Sequence, residues 1–226
     1  MQVAQAGTDT FTGFLGFNMY SLFVAIVVCV GLMMSSFRTP EMRKRIGASP
    51  QSPGQVNRAV VGAGFVLMAI AWVWVSALAL GFGAGALGGT AWWQPVLCLL
   101  SVFLYCLVPL AMAFALSQLN ASEEMLNAVG NILGLLSAFM SGAWVPLELM
   151  DSNVQGLARL TPGYWCNDVL TNAFATSDWS VLAGRVTTDL GMLMLFAVVT
   201  ALVGVALSRA RMLRSTRAVQ AARAAE

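Results

Sequence analysis

The sequence predicts an all-α integral membrane protein with about five transmembrane helices. Of the 226 residues, 58% are hydrophobic and only 10% are charged, whereas soluble domains carry roughly 25% charged residues. The hydrophobic residues lie in long runs that mostly lack charge, and about 20 such residues allow a helix to cross a bilayer. The runs lack the two-residue alternation of membrane β-barrels. Helices are therefore expected, because backbone polar groups inside lipid must be paired within their own segment.

The predicted spans and the segments between them form one transmembrane domain over residues 1–226. The spans cover about residues 14–37, 59–82, 92–116, 125–145 and 181–207. The remaining segments are a basic segment at 38–58, an uncharged glycine-rich turn at 81–90, an acidic loop at 117–124, a polar and proline-broken segment at 146–178, and a basic tail at 209–226. Within the acidic loop, Ser122 precedes Glu123 and Glu124, a pattern that is typical of a helix start.

The basic residues predict the orientation of the chain. Segments 38–58 and 209–226 carry five Lys or Arg residues each, whereas residues 1–13 carry none and 146–180 carries only Arg159. Basic loops stay in the cytoplasm, so we expect a multi-pass plasma (inner) membrane protein with its N-terminus outside and its C-terminus cytoplasmic. Basic clusters beside spans are far more often orientation signals than nucleic-acid sites, so the expected partner is the lipid bilayer and no nucleic acid is expected.

The residue types exclude several enzyme classes. The chain has no histidine, which removes Ser-His-Asp triads and H-E-x-x-H zinc sites. Its four cysteines form no C-x-x-C pair, so we expect inert thiols rather than a metal site or a disulfide framework. No G-x-x-x-x-G-K-[ST] motif occurs, so the chain cannot bind ATP in the P-loop manner. We therefore predict no catalytic residues, no metal and no cofactor in this chain.

Asp189 is the only carboxylate well within a predicted span. An acid inside the membrane is a functional candidate by default. Because Arg185 lies four residues before it, we favour an ion pair between the two at the outer headgroup level over a proton-relay site.

The fourth span has one face of small and polar residues. Its members recur at steps of three and four along a helix: Asn127, Asn131, Gly134, Ala138, Ser141 and Gly142. Small residues let helix backbones approach closely. This face fits a helix at a subunit interface or along a translocation path, and it fits ordinary packing within one bundle about equally well.

The basic segment at 38–58 contains a predicted short helix. Pro40 begins the stretch PEMRKRIGASP, and Gly47 and Pro50 end it, so a helix of about two turns is expected. A dense basic cluster framed by start and stop signals is more than membrane anchoring requires. It indicates a docking element for a cytoplasmic partner.

Three stretches together give the chain a family resemblance: PEMRKRIGASP, GNILGLLSAFMSGAWVPLELM and LARLTPGYWCNDVL. The second and third combine a helix ending in small residues, an aromatic-proline step and a following P-x-Y-W. The residues that carry this pattern are Asn131, Gly134, Ser141, Gly142, Pro146, Pro162, Tyr164 and Trp165. The chain resembles the permease subunit of a type-2 ABC transporter of the exporter type, over essentially its whole length.

The resemblance implies a transport function. Such a permease moves a substrate across the plasma membrane by alternating access, driven by a separate ATP-binding subunit that carries ATP and Mg, and it pairs with a second permease subunit, identical or different. Residues 146–178 would be an external re-entrant helical segment with a cap motif of Pro146, Pro162, Tyr164 and Trp165. The ATPase-coupling helix would consist of Glu41, Arg43, Lys44, Arg45 and Ile46.

The chain departs from the family in one respect. Family permeases have six helices and a cytoplasmic N-terminus, and this chain looks like helices two to six. The resemblance therefore implies that the first helix is supplied by a separate chain or is missing through truncation. A non-transporting membrane scaffold and a secondary transporter are the alternatives, although a secondary transporter would need ion sites near the midplane. Amphipathic drugs, lipids and peptides suit the candidate lining residues equally.

Overall fold

The computed structural model describes residues 2–37, 39–48 and 53–224, and these residues form helices and turns without strands. The first long helical unit consists of α1 (Gln2–Ala25), a π-helical turn (Ile26–Val30) and α2 (Gly31–Ser36). The elements that follow are α3 (Pro40–Gly47), α4 (Pro53–Leu87), α5 (Trp93–Gln118), α6 (Glu123–Met140), a 3₁₀ turn (Leu147–Leu149), α7 (Ser152–Ala158), α8 (Pro162–Asn172) and α9 (Trp179–Ala224). The predicted all-α class is confirmed.

Four helical units in the described part are long and apolar enough to cross a membrane. They cover Gly7–Ser36, Gly54–Gly85, Trp93–Gln118 and Trp179–Arg211. The remaining predicted span, 125–145, corresponds to α6, which has 18 residues and two glutamates in its first turn. At about 1.5 Å per residue it is about 27 Å long. It is not among the four, and its crossing of the membrane stays a prediction.

The unit of α1, the π turn and α2 lies at the centre of the bundle. Its buried side chains recur at about one helical turn, as in Phe11, Leu15, Met19, Phe23 and Ile26. It packs against α4, α5 and α6, and α5 packs along α9. Every long helix therefore touches either this central unit or α5.

One end of the bundle holds α3 and the turn between α5 and α6. The Arg211 guanidinium of α9 donates to the Gln118 carbonyl at 2.9 Å and to the Asn120 side-chain oxygen at 2.8 Å. Close to this point, the Ser117 hydroxyl lies 4.0 Å from the Met34 sulfur of α2. Since α3 follows α2 directly, we call this the α3 end.

The opposite end holds residues 146–178, which we call the cap segment. The rings of Phe11 and Phe174 meet edge to face at 6.2 Å, and the Gln94 amide donates to the Thr176 carbonyl at 3.0 Å. These contacts join the start of the central unit, the start of α5 and the cap segment. We call this the cap end.

The glycine-rich stretch predicted as a turn at 81–90 is mostly helical, so that prediction is wrong. Helix α4 continues to Leu87, and the turn begins only after it. A Cβ on Gly83 would lie 2.9 Å from the Phe11 Cβ. Close packing of α1 on α4 thus overrides the low helix propensity of glycine, because small residues permit this approach.

The outward surfaces of α4 and α9 are apolar. Trp74 on α4 is 66% exposed and Leu202 on α9 is 61% exposed. Such exposure would be unfavourable over a large patch in water, whereas lipid tails are as apolar as these side chains. The two helices therefore have the surface expected of lipid-facing helices.

Candidate functional site

The small residues of α6 pack within the chain. A Cβ on Gly134 would lie 3.2 Å from a ring carbon of Tyr20, and Gly130 lies against the same central unit. Ala138 and Ser141 are fully or almost fully buried. At these positions the described contacts are those of helix packing inside one bundle, in which small side chains bring α6 close to its neighbours.

The two amides of the predicted face lie nearer the surface. The Tyr20 hydroxyl of α1 donates to Asn131 Oδ1 at 2.6 Å, and Asn131 Nδ2 donates to the Asn127 carbonyl at 2.8 Å. Both asparagines are half-buried. They therefore place polar groups on the surface shared by α1 and α6, which we call the α1–α6 surface.

An aromatic cluster lies on the same surface toward the cap end. The Trp144 ring stacks on Phe17 with ring centroids 5.4 Å apart, and it meets Tyr20 and Phe139 at 5.5 and 5.3 Å. Its indole N–H donates to the Phe17 carbonyl at 3.3 Å. Sequence reasoning singled out none of these four rings, although the aromatic-proline step that contains Trp144 was a signal.

The chain turns sharply where α6 ends. Gly142 has a φ of +83°, a conformation that glycine adopts without steric cost. Asn167 of α8 donates from its amide to the Ser141 carbonyl at 2.9 Å. This hydrogen bond ties the turn to the cap segment, and sequence reasoning missed Asn167.

The predicted cap motif lies around α8. Pro162 occupies the start of α8, where its missing N–H costs nothing. The Trp165 indole N–H donates to the Arg159 carbonyl at 2.9 Å, and its ring meets Tyr164 edge to face at 5.1 Å. Pro146 immediately precedes the 3₁₀ turn. The motif thus fixes the start of α8, and the external re-entrant placement stays a prediction.

Helices α6 and α8 touch at Gly163. A Cβ at this position would lie 2.6 Å from the Ser137 carbonyl oxygen. The Ser137 hydroxyl lies 3.2 Å from that of Tyr105 on α5. Backbone contact and a buried hydroxyl pair therefore join α5, α6 and α8 at one point.

The predicted ion pair between Asp189 and Arg185 is wrong. The Arg185 guanidinium instead grips Asp168 of α8, with Nε and Nη2 at 2.7 and 2.6 Å from the two carboxylate oxygens. Asp168 lies 17 residues before Arg185 in the sequence, and only the packing of α8 on α9 brings them together. No local spacing rule indicates such a pair.

The predicted coupling residues lie on α3, at the α3 end. Glu41 is in its first turn, and Lys44 and Arg45 are in its last turn. These positions complement the helix dipole. All three side chains are exposed, Ile46 is half-buried, and the side chain of Arg43 lies outside the described part. Residues 38 and 49–52 of the same segment also lie outside the described part.

Among the described helices, α6, α7 and α9 begin with side-chain caps. The Ser122 hydroxyl accepts from the Met125 N–H at 3.3 Å, which confirms the predicted start of α6. A hydrogen bond from Ser122 to Glu124 lowers the pKa of that glutamate. At α9, the hydroxyl and N–H of Ser180 donate to Asp178 at 2.8 and 2.9 Å and lower the pKa of Asp178.

The thiols and acids form no metal cluster among the residues that can be described. Cys98, Cys106 and Cys166 are buried and Cys29 is exposed, all as free thiols. Burial raises the pKa of the Cys166 thiol to about 12. A thiol in this state is a poor nucleophile at neutral pH.

Comparisons with known proteins agree with this architecture. A family model described as "ABC-2 family transporter protein" matches residues 1–206. The linearmycin resistance permease protein LnrN of Bacillus subtilis (strain 168) is 26% identical over 210 residues, which cover 90% of this chain and 50% of that protein. The chain thus spans about half the length of this curated relative. No solved structure matches the chain significantly.

Proposed function

The chain belongs to the ABC-2 family of transporter proteins, and from this premise we propose that it is the permease subunit of an ATP-binding cassette exporter. The subunit moves a substrate across the plasma membrane by alternating access, in which two helix bundles rock against each other. A separate ATPase subunit binds ATP and Mg and drives the movement.

The observation that carries the proposal is the position of α3. This eight-residue helix lies between two long helical units at one end of the bundle, and its Lys44 and Arg45 side chains are exposed. Ten of the twelve Lys and Arg residues of the chain lie in segments 38–58 and 209–226, which flank that end. An exposed basic helix held by two spans can transmit a push from a docked partner to both of them. The proposed contacts with the ATPase subunit are Glu41, Arg43, Lys44, Arg45 and Ile46.

The same distribution of charge supports the proposed orientation. Basic segments are retained on the cytoplasmic side, so the α3 end faces the cytoplasm and the cap end faces outward. The N-terminus then lies outside and the C-terminus inside. This orientation also brings the proposed coupling helix to the side on which ATP is available.

A second permease subunit completes the transporter in this proposal. The α1–α6 surface exposes Phe17 (62%) and Ile132 (65%) beside the half-buried amides of Asn127 and Asn131. A second copy, or a similar chain, facing this surface would enclose a path with apolar walls and a few amides. The small residues of α6 would line the inner side of that wall, where they let the helix pack closely on its neighbours: Gly134, Ala138, Ser141 and Gly142.

Export is the favoured direction because of the relative. The printed name of LnrN assigns it to linearmycin resistance, and resistance to a toxic compound fits removal from the cell. For this chain we propose an amphipathic substrate, a class that includes drugs, lipids and peptides.

The test compares two charge-reversal variants of equal net charge. Lys44→Glu with Arg45→Glu alters α3, and Arg58→Glu with Arg209→Glu alters exposed residues near the same end of α4 and α9. Each is purified with the ATPase subunit, and copurification, substrate-stimulated ATPase activity and vesicle transport are measured. We expect the α3 variant to lose stimulation and transport, because like charges across an interface can cost several kcal/mol, while the control variant retains both.

Topology is verified in both variants, because all four residues contribute to the positive-inside signal. Cysteines placed near residues 52 and 88 should be labelled only from the cytoplasm and only from outside, respectively. Wild-type coupling in the α3 variant would make the basic helix a simple anchor. Failure of the wild-type chain to copurify with any ATPase subunit would instead favour a non-transporting scaffold.

A further inference from the structure

The contact between α8 and α9 holds a group that neither the transport proposal nor the family accounts for. Asp189 of α9 lies one helical turn after Arg185, and the two threonines before it donate their hydroxyls to backbone carbonyls of α9 itself, Thr187 to Ala183 and Thr188 to Gly184. Asp189 is only 3% exposed. Its Oδ2 atom is buried and accepts no hydrogen bond from any described residue.

Asp189 interacts with another carboxylate. Asp168 of α8 lies within hydrogen-bonding reach of the Asp189 carboxyl, although neither side chain carries a donor when both are ionised. The two N–H groups of Arg185 are directed at the two oxygens of Asp168. Within the described part of the chain, Arg185 is therefore the one cation beside the two acids, and its hydrogen bonds go to Asp168 rather than to Asp189.

Other charges do not change this balance. Helix α9 packs on α5 and α8. The α5 sequence contains no Asp, Glu, Lys or Arg, and its only titratable side chains are Cys98, Tyr105 and Cys106. On α8 the groups near the cluster are Asp168 and Tyr164, and the latter interacts with Arg185. No second cation among the described residues neutralises Asp189.

Elementary electrostatics leaves one way to satisfy both acids. An ionised carboxylate buried without a donor is strongly unfavourable, and two carboxylates in contact cannot both ionise at low cost. A metal cation would have to displace Arg185 from Asp168 or share the site with its positive charge. A single proton on Asp189 removes the excess charge and supplies the donor that Asp168 accepts.

We propose that Asp189 is a proton-binding site, and that its bound proton forms the hydrogen bond to Asp168 that holds α8 on α9. Loss of the proton leaves two carboxylates facing each other with only the Arg185 guanidinium to balance them, and the repulsion drives α8 off α9. Docking of α8 therefore weakens as the pH rises. Because one proton is linked to docking, the docking equilibrium falls by at most tenfold per pH unit.

The first experiment looks for the proton directly. Infrared spectra of the purified 226-residue chain at neutral pH should contain the carbonyl stretch of a protonated carboxylic acid, shifted by deuterium oxide and by isotope-labelled aspartate. Exposed carboxyls are ionised at this pH, because their ordinary pKa is about 4. Asp189→Asn should remove the band, and Glu148→Gln, at an exposed acid of the cap segment, should keep it. Absence of the band from the wild type would overturn the proposal.

The second experiment measures docking. Hydrogen exchange of residues 162–172 is compared between the wild type and Asp189→Asn at matched pH, so that the intrinsic pH dependence of exchange cancels. The asparagine amide can donate to Asp168 at any pH, so its α8 should stay protected while the wild-type α8 loses protection in basic buffer. Parallel protection of the two proteins over the whole pH range would refute the link to docking. If Asp189→Asn fails to fold, the isotope-shifted band of the wild type still decides the first claim.

Discussion

Replacing Gly163 by alanine should loosen the packing of α8 against α6. The new Cβ would lie 2.6 Å from the Ser137 carbonyl oxygen, whereas carbon–oxygen contacts between helices lie at about 3.3–3.6 Å, so α8 must move by about 0.7–1 Å. The obstacle is backbone, which cannot rotate away as a side chain can. Overpacking of this kind costs about 1–3 kcal/mol.

The neighbouring hydroxyl pair adds to the effect. The Tyr105 and Ser137 hydroxyls are 3.2 Å apart at the same point. If the displacement separates them, about 1 kcal/mol more is lost. For a chain of this size 1 kcal/mol corresponds to about 2–4 °C. The overpacking alone should therefore lower the unfolding temperature by about 2–12 °C.

The buried thiols provide the assay. Cys98, Cys106 and Cys166 are fully buried, so a fluorogenic maleimide reacts with them only when the bundle opens. Removing the exposed Cys29 eliminates the background. The matched control is Gly156→Ala in α7, where a Cβ would meet nothing within 4 Å and where alanine favours the helix by about 0.8–1 kcal/mol. Equal unfolding temperatures for the two variants would refute the close-contact reasoning.

Three further outcomes are expected. Tyr20→Phe removes the hydrogen bond to Asn131 and should lower the stability measured in the thiol assay by about 0.5–1.5 kcal/mol. In a variant that already lacks the Asn131 amide, the same substitution should cause no further loss of stability, and an equal loss there would contradict the hydrogen bond. Ser122→Ala removes the cap of α6 and should cost about 1 kcal/mol, detected as faster hydrogen exchange in the first turn of that helix; unchanged exchange would contradict the cap. The pKa of Asp178 is lowered by Ser180, so the cap of α9 stabilises the folded state above the unfolded pKa and is lost as the pH falls; Asp178→Asn should abolish this acid-dependent exchange of the first turn, and persistence of the dependence would assign it elsewhere.

Local patterns predicted the elements whose causes are local. The stretch that begins at Pro40 forms α3 and ends at Gly47, as its start and stop signals indicate. Ser122 caps α6 as expected. Hydrophobic runs sufficed for the long helices because a bilayer imposes length and apolarity on each of them independently.

Features that depend on contacts between distant segments were not predictable in this way. Glycine propensity alone predicts a turn after residue 80, because it does not include the α1 side chain that packs on Gly83. Spacing along α9 predicts a pair between Arg185 and Asp189, whereas the true partner, Asp168, lies on another helix. The α6 face is an intermediate case. Its spacing predicts a packed surface, but only the contacts show that Gly134 packs on α1, that Ser141 bonds to α8 and that Asn127 and Asn131 lie nearer the surface.

The π-helical turn at Ile26–Val30 divides the central helical unit into two helical segments, α1 and α2, and forms a joint between them. Such a turn accommodates one residue more than an α-helical turn, so it rotates the following side chains by about 100° relative to an uninterrupted helix. Past this joint, Gly31 meets Leu126 and Met34 meets Gly64, whereas Phe11 before it meets the cap end. Deleting one residue within the turn would straighten the rod and turn one set of contacts away from its neighbours. A torque applied at α3 can likewise be taken up at this joint, without forcing the outer half of the helix to rotate by the same angle.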